Sequence, residues 1–279
     1  MSRYDPYTLT LGDIVLITCS DGDLTIAPER LFRDVPVARS APLLQPVNAQ
    51  GHAIVPMHAL VIRAGQRLIL VDTGLGPSSP LRAQPGTLLD GLAQAGISPT
   101  AISDVVLSHA HPDHLGWSTS VVAGQRRPTF PHARYWLAGP EFRHWTQPQF
   151  LATVPALRDH LPVLVASGQL ELPEGEVEIA PGIRLLETPG HTPGHRSVLI
   201  SSGKAVALFT GDLFHHPLHL QKPNWGSAFD SNPEQAYRTR LRVLQQAAAE
   251  RLLLVAYHHP TPFGYAEHWG ASYRWQPAD

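Results

Sequence analysis

The sequence predicts an α/β (α+β) protein of mixed β-sheets with helices outside them. Three observations predict it: apolar runs of strand length recur along the chain, an amphipathic helix separates the later ones, and polar motifs begin directly where apolar strands end. With 279 residues, one large domain or two small ones can bury a sizeable core.

Taken in order, apolar patches at Ile14 to Ile17 and at Leu24 and Ile26, broken by Asp21-Gly22-Asp23, read as a short hairpin. The proline-rich stretch from Pro36 to Pro56 reads as an arm, so residues 1–56 are expected to pack on a domain of residues 57–279. Ala59 to Arg63 and Arg67 to Val71, separated by Ala64-Gly65-Gln66, predict two adjacent strands and a tight turn. Leu88, Leu89 and Leu92, with Gly96 just beyond, predict a helix over Thr87 to Ala95 with a glycine stop. Val105 to Leu107 and Ala133 to Leu137 read as strands. Residues 139–173 mix helical segments with aromatics and prolines and read as an insertion over a site. Ile183 to Glu187, Ser197 to Ile200, Ala205 to Phe209 and Leu252 to Ala256 are further strands. Between the last two, residues 233–249 form the clearest helix. Pro233 suits its first position, Tyr237, Leu241, Leu244 and Ala248 give an apolar face, and Arg238, Arg240 and Arg242 are assigned to a solvated face.

Composition narrows the partners. Against 23 Asp+Glu the chain has 21 Lys+Arg, so it lacks the positive footprint that nucleic acid or an anionic membrane requires. No run approaches a membrane span, and the opening Met-Ser-Arg-Tyr-Asp-Pro-Tyr has no basic segment followed by an apolar run, so a cytoplasmic protein is expected. A single cysteine, Cys19, excludes an internal disulfide and a thiolate zinc cage. The unusual count is 16 histidines.

Three of these histidines and an aspartate next to them carry the chemistry. Ser108-His109-Ala110-His111-Pro112-Asp113-His114 sits just past a buried strand. Residues two apart in an extended segment point the same way, so His109 and His111 can aim at one metal, while Asp113 and His114, where the chain turns towards a helix, can aim at a second position. Imidazole with carboxylate suits Zn²⁺, Fe²⁺ or Mn²⁺.

His109-Ala110-His111-Pro112-Asp113-His114 resembles the HxHxDH signature of the metallo-β-lactamase superfamily. Its other landmarks follow in order: Val71-Asp72-Thr73-Gly74, Thr188-Pro189-Gly190-His191, Thr210-Gly211-Asp212 and His258, a resemblance that runs from about residue 58 to 264. It implies an αββα sandwich of two mixed sheets with all ligands at strand ends along one edge. It also implies His109, His111 and His191 on one metal, Asp113, His114 and His258 on the other, Asp212 bridging, and Asp72 orienting a ligand histidine. His195 is left out of the ligand set, and His258 is preferred to His259 from its spacing to Pro262-Phe263-Gly264.

The resemblance implies two divalent ions, with zinc expected and iron or manganese compatible, and a bridging hydroxide that attacks a lactone, carboxylic ester or phosphotriester. Asp113 is then also a proton shuttle. β-Lactam hydrolysis is disfavoured because Asp212 stands where those enzymes commonly have cysteine. The alternatives are a glyoxalase II-like thioesterase, which adds a helical domain where this chain has only 21 residues after His258, and a non-hydrolytic iron-binding redox or sensor protein. The motifs around Asp212, with Pro223-Asn224-Trp225 and Phe229-Asp230, resemble methyl parathion hydrolase-like and lactonase-like members most closely. Lactonases of the best-known type place tyrosine three residues after the bridging aspartate; here His215 stands there, which counts against a quorum-quenching lactonase without excluding it, because an imidazole can also donate a hydrogen bond to the substrate oxygen, the role expected of His215. The expected partner is a small ester or lactone, with no nucleic acid and no membrane, and a homodimer is compatible.

Overall fold

The computed structural model describes residues 5–77, 84 and 86–278; Met1–Tyr4, part of the opening stretch read above for location, lie outside them. Among the described residues no helix is long and apolar enough to cross a membrane.

The strands fall into two seven-stranded sheets. The first holds β1 (Tyr7–Leu11), β2 (Ile14–Ile26), β3 (Ala53–Ala64), β4 (Arg67–Val71) and β5 (Asp104–Val106). A small hairpin of β6 (Thr119–Val122) and β7 (Gln125–Pro128) stands apart, and β8 (Arg134–Trp136) and β9 (Leu170–Glu171) complete the first sheet. The second sheet runs in sequence order: β10 (Val177–Ala180), β11 (Ile183–Glu187), β12 (Arg196–Ser202), β13 (Ala205–Phe209), β14 (Leu253–Val255), β15 (Phe263–Trp269) and β16 (Ser272–Pro277). Both are mixed. Pairing is parallel from β4 through β5, β8 and β9, and between β13 and β14. The other pairs within the two sheets are antiparallel.

Strand periodicity builds the layers. Leu16, Leu60, Ile62, Ile69, Val71 and Val106 meet Ile183, Val198, Ile200, Phe209 and Val255 in one core between the sheets. Their chain neighbours Ile17, Val61, Leu70 and Val105 point the other way and pack on Leu88, Leu92, Leu157 and Leu161 from the outer helices. On the second sheet Leu208 and Leu254 pack outward on Val243, Leu244 and Ala247 of the helix Pro233–Glu250. The result is the αββα sandwich.

Three local expectations are corrected. Asp21-Gly22-Asp23 is not the hairpin turn. The turn lies at Gly12-Asp13, and β2 continues through residues 21–23 with a register shift opposite His58 and Pro56. The buried Asp21 carboxylate accepts hydrogen bonds from the backbone N–H of Leu75 (2.7 Å) and Leu88 (2.9 Å) and from Trp117 Nε1 (2.9 Å), which a turn residue facing solvent would not do. Secondly, β3 runs through the 56/57 division without a break. Thirdly, the helix Pro233–Glu250 buries Ala236, Thr239, Arg240, Val243, Leu244 and Ala247, so Arg240 is inside while Arg238 and Arg242 are exposed. Arg240 donates to the carbonyls of Leu213 (2.6 Å), Pro223 (2.9 Å) and Trp225 (3.3 Å) and lies 3.7 Å from Asp230. A guanidinium has enough donors to hold a loop of free carbonyls, and that outweighs its solvation.

Buried histidines make stability pH-dependent. On the helix Pro155–Ser167, His160 lies 2.8 Å (Nδ1) from Thr119 Oγ1 and is pushed down to about 4, by burial first and by Arg126 second. In the unfolded chain it titrates near ~6.5. Its contribution is therefore complete above about pH 6.5 and is lost as pH falls towards 4, by up to about 3 kcal/mol. Thermal unfolding of His160→Gln should show a flatter pH dependence than the parent between those values. A constant difference across the window would contradict this.

Candidate metal centre

The site is assembled from chain segments that leave strand ends. After β4 comes Asp72; after β5 come His109 and His111, then the short helix Pro112–Leu115 with Asp113 and His114. The loop between β11 and β12 carries His191, the turn after β13 carries Asp212, and β14 leads to His258. Apart from Asp72, the first sheet thus supplies four of the seven expected ligands and the second sheet three.

These side chains meet in two groups, His109, His111, His191 and Asp212 in one and Asp113, His114 and His258 in the other, with the ligand atoms of each within 4.8 Å of one another. His111 Nδ1 lies 3.1 Å from His109 Nε2 and 2.9 Å from His191 Nε2. Asp212 faces both groups. Its Oδ2 is 3.3 Å from His191 Nε2 and 3.7 Å from His109 Nε2, and its Oδ1 is 3.2 Å from His114 Nε2 and 3.4 Å from His258 Nε2. Asp113 Oδ2 is 3.4 Å from His258 Nε2 and 3.7 Å from His114 Nε2.

This donor set fits divalent ions. Tetrahedral ligands at about 2.0–2.1 Å from Zn²⁺ stand about 3.3 Å from each other, close to the spacings here. The buried His114 Nε2 and Asp212 Oδ1, though 3.2 Å apart, are not aligned for a hydrogen bond and make none elsewhere, which is costly unless a cation accepts their lone pairs. Burial, with His191 next, pushes His111 down to about 3, so its lone pair is free at neutral pH. Burial also lowers His258, but the carboxylates of Asp212 and Asp113 outweigh it and lift the ring to about 9. Asp212 is held well below the carboxylate range by His114, His258 and His215 against the opposing effect of burial.

The far nitrogens of the rings are tied down. Asp72 Oδ2 is 2.7 Å from His114 Nδ1 and accepts from Ser108 Oγ, while Oδ1 accepts from Ser108 N–H (2.7 Å). Asp230 Oδ1 is 3.1 Å from His191 Nδ1, and the Pro56 carbonyl is 2.7 Å from His258 Nδ1. Such partners fix ring orientation and raise ligand basicity.

Above the donors opens a cavity of about 500 Å³, lined among others by Leu24, Ile26, Trp145, Val154, His215 and Phe229. Its walls are largely apolar and its floor holds His111, Asp113, His191, Asp212 and His258, the form of a small-molecule site.

The profile of the metallo-beta-lactamase superfamily matches residues 55–259. The chain belongs to the metallo-beta-lactamase superfamily. Its similar proteins include a probable metallo-hydrolase of Mycobacterium tuberculosis, 25% identical over 250 residues and 77% of each chain. An N-acyl homoserine lactonase of Bacillus cereus is 28% identical over 199 residues, 63% of this chain and 71% of that one. Among solved structures, AidC, a dizinc quorum-quenching lactonase in complex with a product, superposes with a TM-score of 0.88 at 26% identity, covering 99% of this chain and 98% of the other. A hydrolase in the beta lactamase superfamily, AbOPH, gives 0.88 at 25% identity with the same coverage.

In this metallo-beta-lactamase superfamily member, His109, His111, Asp113, His114, His191, Asp212 and His258 come together, and Asp72 reaches His114 as the resemblance implies. His259 turns away, its Nδ1 2.9 Å from the Thr261 carbonyl and its ring stacked on Trp275. His195 is buried with its Nε2 accepting from Asp212 N–H (3.0 Å), a brace for the aspartate's backbone. His215 lies with Nε2 3.3 Å from Asp212 Oδ2 and faces the cavity. Trp145 and Phe229 line the cavity, whereas Trp225 sits in the core between the sheets and Trp117 donates to Asp21.

The roles of Asp230, Arg240 and Glu141 escaped the sequence. Glu141 is fully buried at the start of the segment over the site. One oxygen accepts from Ala110 N–H (3.0 Å) and Trp145 Nε1 (2.6 Å), and the other from Gly194 N–H (2.8 Å). It therefore joins the loop of His109 and His111 to the loop of His191. The spacing to Trp145 alone does not announce it, since its other two partners are backbone amides distant in sequence. Glu141→Gln replaces one acceptor by a donor and should weaken metal retention roughly 10- to 100-fold against a chelator, measured by competition. Unchanged retention would mean that the two loops hold their positions without it.

Proposed function

We propose that the protein is a dinuclear metal-dependent hydrolase that opens lactones and cleaves related carboxylic esters, holding one ion with His109, His111 and His191, a second with Asp113, His114 and His258, and both with Asp212. The observation that carries this reading is the single Asp212 carboxylate whose oxygens face two separate donor groups on the floor of an apolar cavity. When bound, such a pair of ions supplies a water acidic enough to attack at neutral pH and polarises the carbonyl oxygen.

The chain's own residues do the rest. Asp113 keeps its side chain partly open to the cavity (15% exposed), unlike the nearly closed Asp212, and there its carboxylate can take the proton that the attacking water loses and pass it to the departing oxygen. Burial lowers His215, which leaves a neutral imidazole at the cavity wall, able to donate one N–H to the oxygen of the substrate. Trp145, Val154, Leu24, Ile26 and Phe229 exclude water and take up the apolar part of the acyl or aryl group. The lactone class is favoured over other esters by the lactonases among the similar proteins, and zinc by the dizinc lactonase AidC.

Two substitutions separate holding the ions from handling the substrate. Asp212→Ala should lower metal content and hydrolysis together, because both donor groups lose their shared carboxylate. His215→Ala should lower kcat on lactones by roughly 10-fold or more with metal content unchanged. Full occupancy and rate in Asp212→Ala would remove the shared-carboxylate assignment, and an unchanged rate in His215→Ala would remove the imidazole's role.

A further inference from the structure

We propose that Arg30 forms an anion-recognising subsite at the mouth of the cavity, so that the preferred substrates are esters or lactones whose apolar arm ends in a carboxylate. The inference rests on the hydrolase reading above and deepens it by naming what lies beyond the reacting carbonyl.

The cavity's charge pattern is uneven. Its two carboxylates, Asp113 and Asp212, both belong to the donor set. Among its lining residues Arg30 carries the only guanidinium and there is no lysine. No carboxylate forms an ion pair with Arg30 among the described residues, and its exposed neighbour Glu29 does not reach it. Its guanidinium lies over the Phe229 ring, with Cζ 4.7 Å from the ring centre.

The backbone fixes this pair. Ala228 N–H donates to the Arg30 carbonyl (2.9 Å), and Arg33 N–H donates to that of Gly226 (2.7 Å), which ties the segment of Arg30 to the loop of Phe229. From there a continuous wall leads inward. Phe229 and His215 stand with ring centres 6.0 Å apart, and His215 Nε2 is 3.3 Å from Asp212 Oδ2. A substrate with its carbonyl at the donors therefore runs its arm along His215 and Phe229, in a cavity lined also by Trp145, Val154 and Ile26, and presents its far end to Arg30. A guanidinium laid on an aromatic face keeps its N–H edges free and matches a carboxylate in bidentate fashion. Having an exposed cation beside an apolar wall gives modest selectivity rather than an absolute requirement.

The test uses the metal-loaded full chain and two substrates of equal length, para-nitrophenyl hexanoate and the para-nitrophenyl monoester of adipic acid. The ratio of their kcat/KM values should favour the carboxylate-bearing ester, decline with added salt, and fall roughly fivefold in Arg30→Gln. Arg63→Gln, the same charge lost from an exposed site on β3, should leave the ratio unaltered. An equal ratio in the parent and in Arg30→Gln would overturn the subsite. Equilibrium binding of adipate against hexanoate to the same proteins reads the contact without turnover. Tighter adipate binding that depends on Arg30 supports the subsite even where neither ester is cleaved, a result that would count against the hydrolase reading alone. Equal binding of the two acids overturns the subsite.

Discussion

The controlling constraint in this molecule is the confinement of five imidazoles and two carboxylates in a space where their lone pairs face one another. His111 Nδ1 stands within 3.1 Å of two other ring nitrogens, and both oxygens of Asp212 are committed to separate histidine groups. Left in water these groups would separate and solvate. They stay together because five of the seven are held from behind: His109 by Ser108 Oγ, His114 by Asp72, His191 by Asp230, His258 by the Pro56 carbonyl, and the Asp212 backbone by His195. A buried donor set held in this way has lost its conformational freedom before any cation arrives, which is the condition for tight and specific coordination.

The fold supplies that confinement through its two-sheet construction. Four donors come from the first sheet and three from the second, so the site closes only when the sheets pack face to face. The approach is close enough to dictate backbone. Gly190 has φ +133° and a side chain there would strike Ala236 of the long helix, while Gly211, at φ +52°, lies against the His195 ring. The same helix sends Arg240 inward to hold Leu213, Pro223 and Trp225, and so fixes the loop that carries His215, Phe229 and Asp230. Coordination would act as a staple across the sandwich, and anything that binds only the folded state stabilises it.

Much of this was legible in the sequence for one reason: the donors sit immediately after apolar strands, so local pattern and chemistry coincide. The strands before His109, Asp212 and His258, the glycine stop at Gly96 and the long helix at Pro233 follow from periodicity and capping. The choice of His258 over His259 followed from spacing to Pro262. What was hidden depends on contacts between distant segments. Asp21 looked like a turn residue because Asp-Gly-Asp favours turns, yet its carboxylate is buried against the loop of Leu75 and the Trp117 indole. Arg240 looked solvated because helical position alone does not reveal the free carbonyls waiting beneath it. Glu141 gave little signal, since apart from Trp145 its partners are the backbone amides of Ala110 and Gly194, far away in sequence.

The claim on which the rest depends is that this histidine and aspartate set holds metal and that hydrolysis requires it. The most direct measurement strips the protein with a chelator, returns zinc in steps, and follows opening of an acyl homoserine lactone together with ions bound per chain. The predicted result is a rate near zero in the stripped protein that rises and saturates as occupancy approaches two. Full hydrolysis by protein shown to be free of metal, or a rate that ignores occupancy, would contradict it.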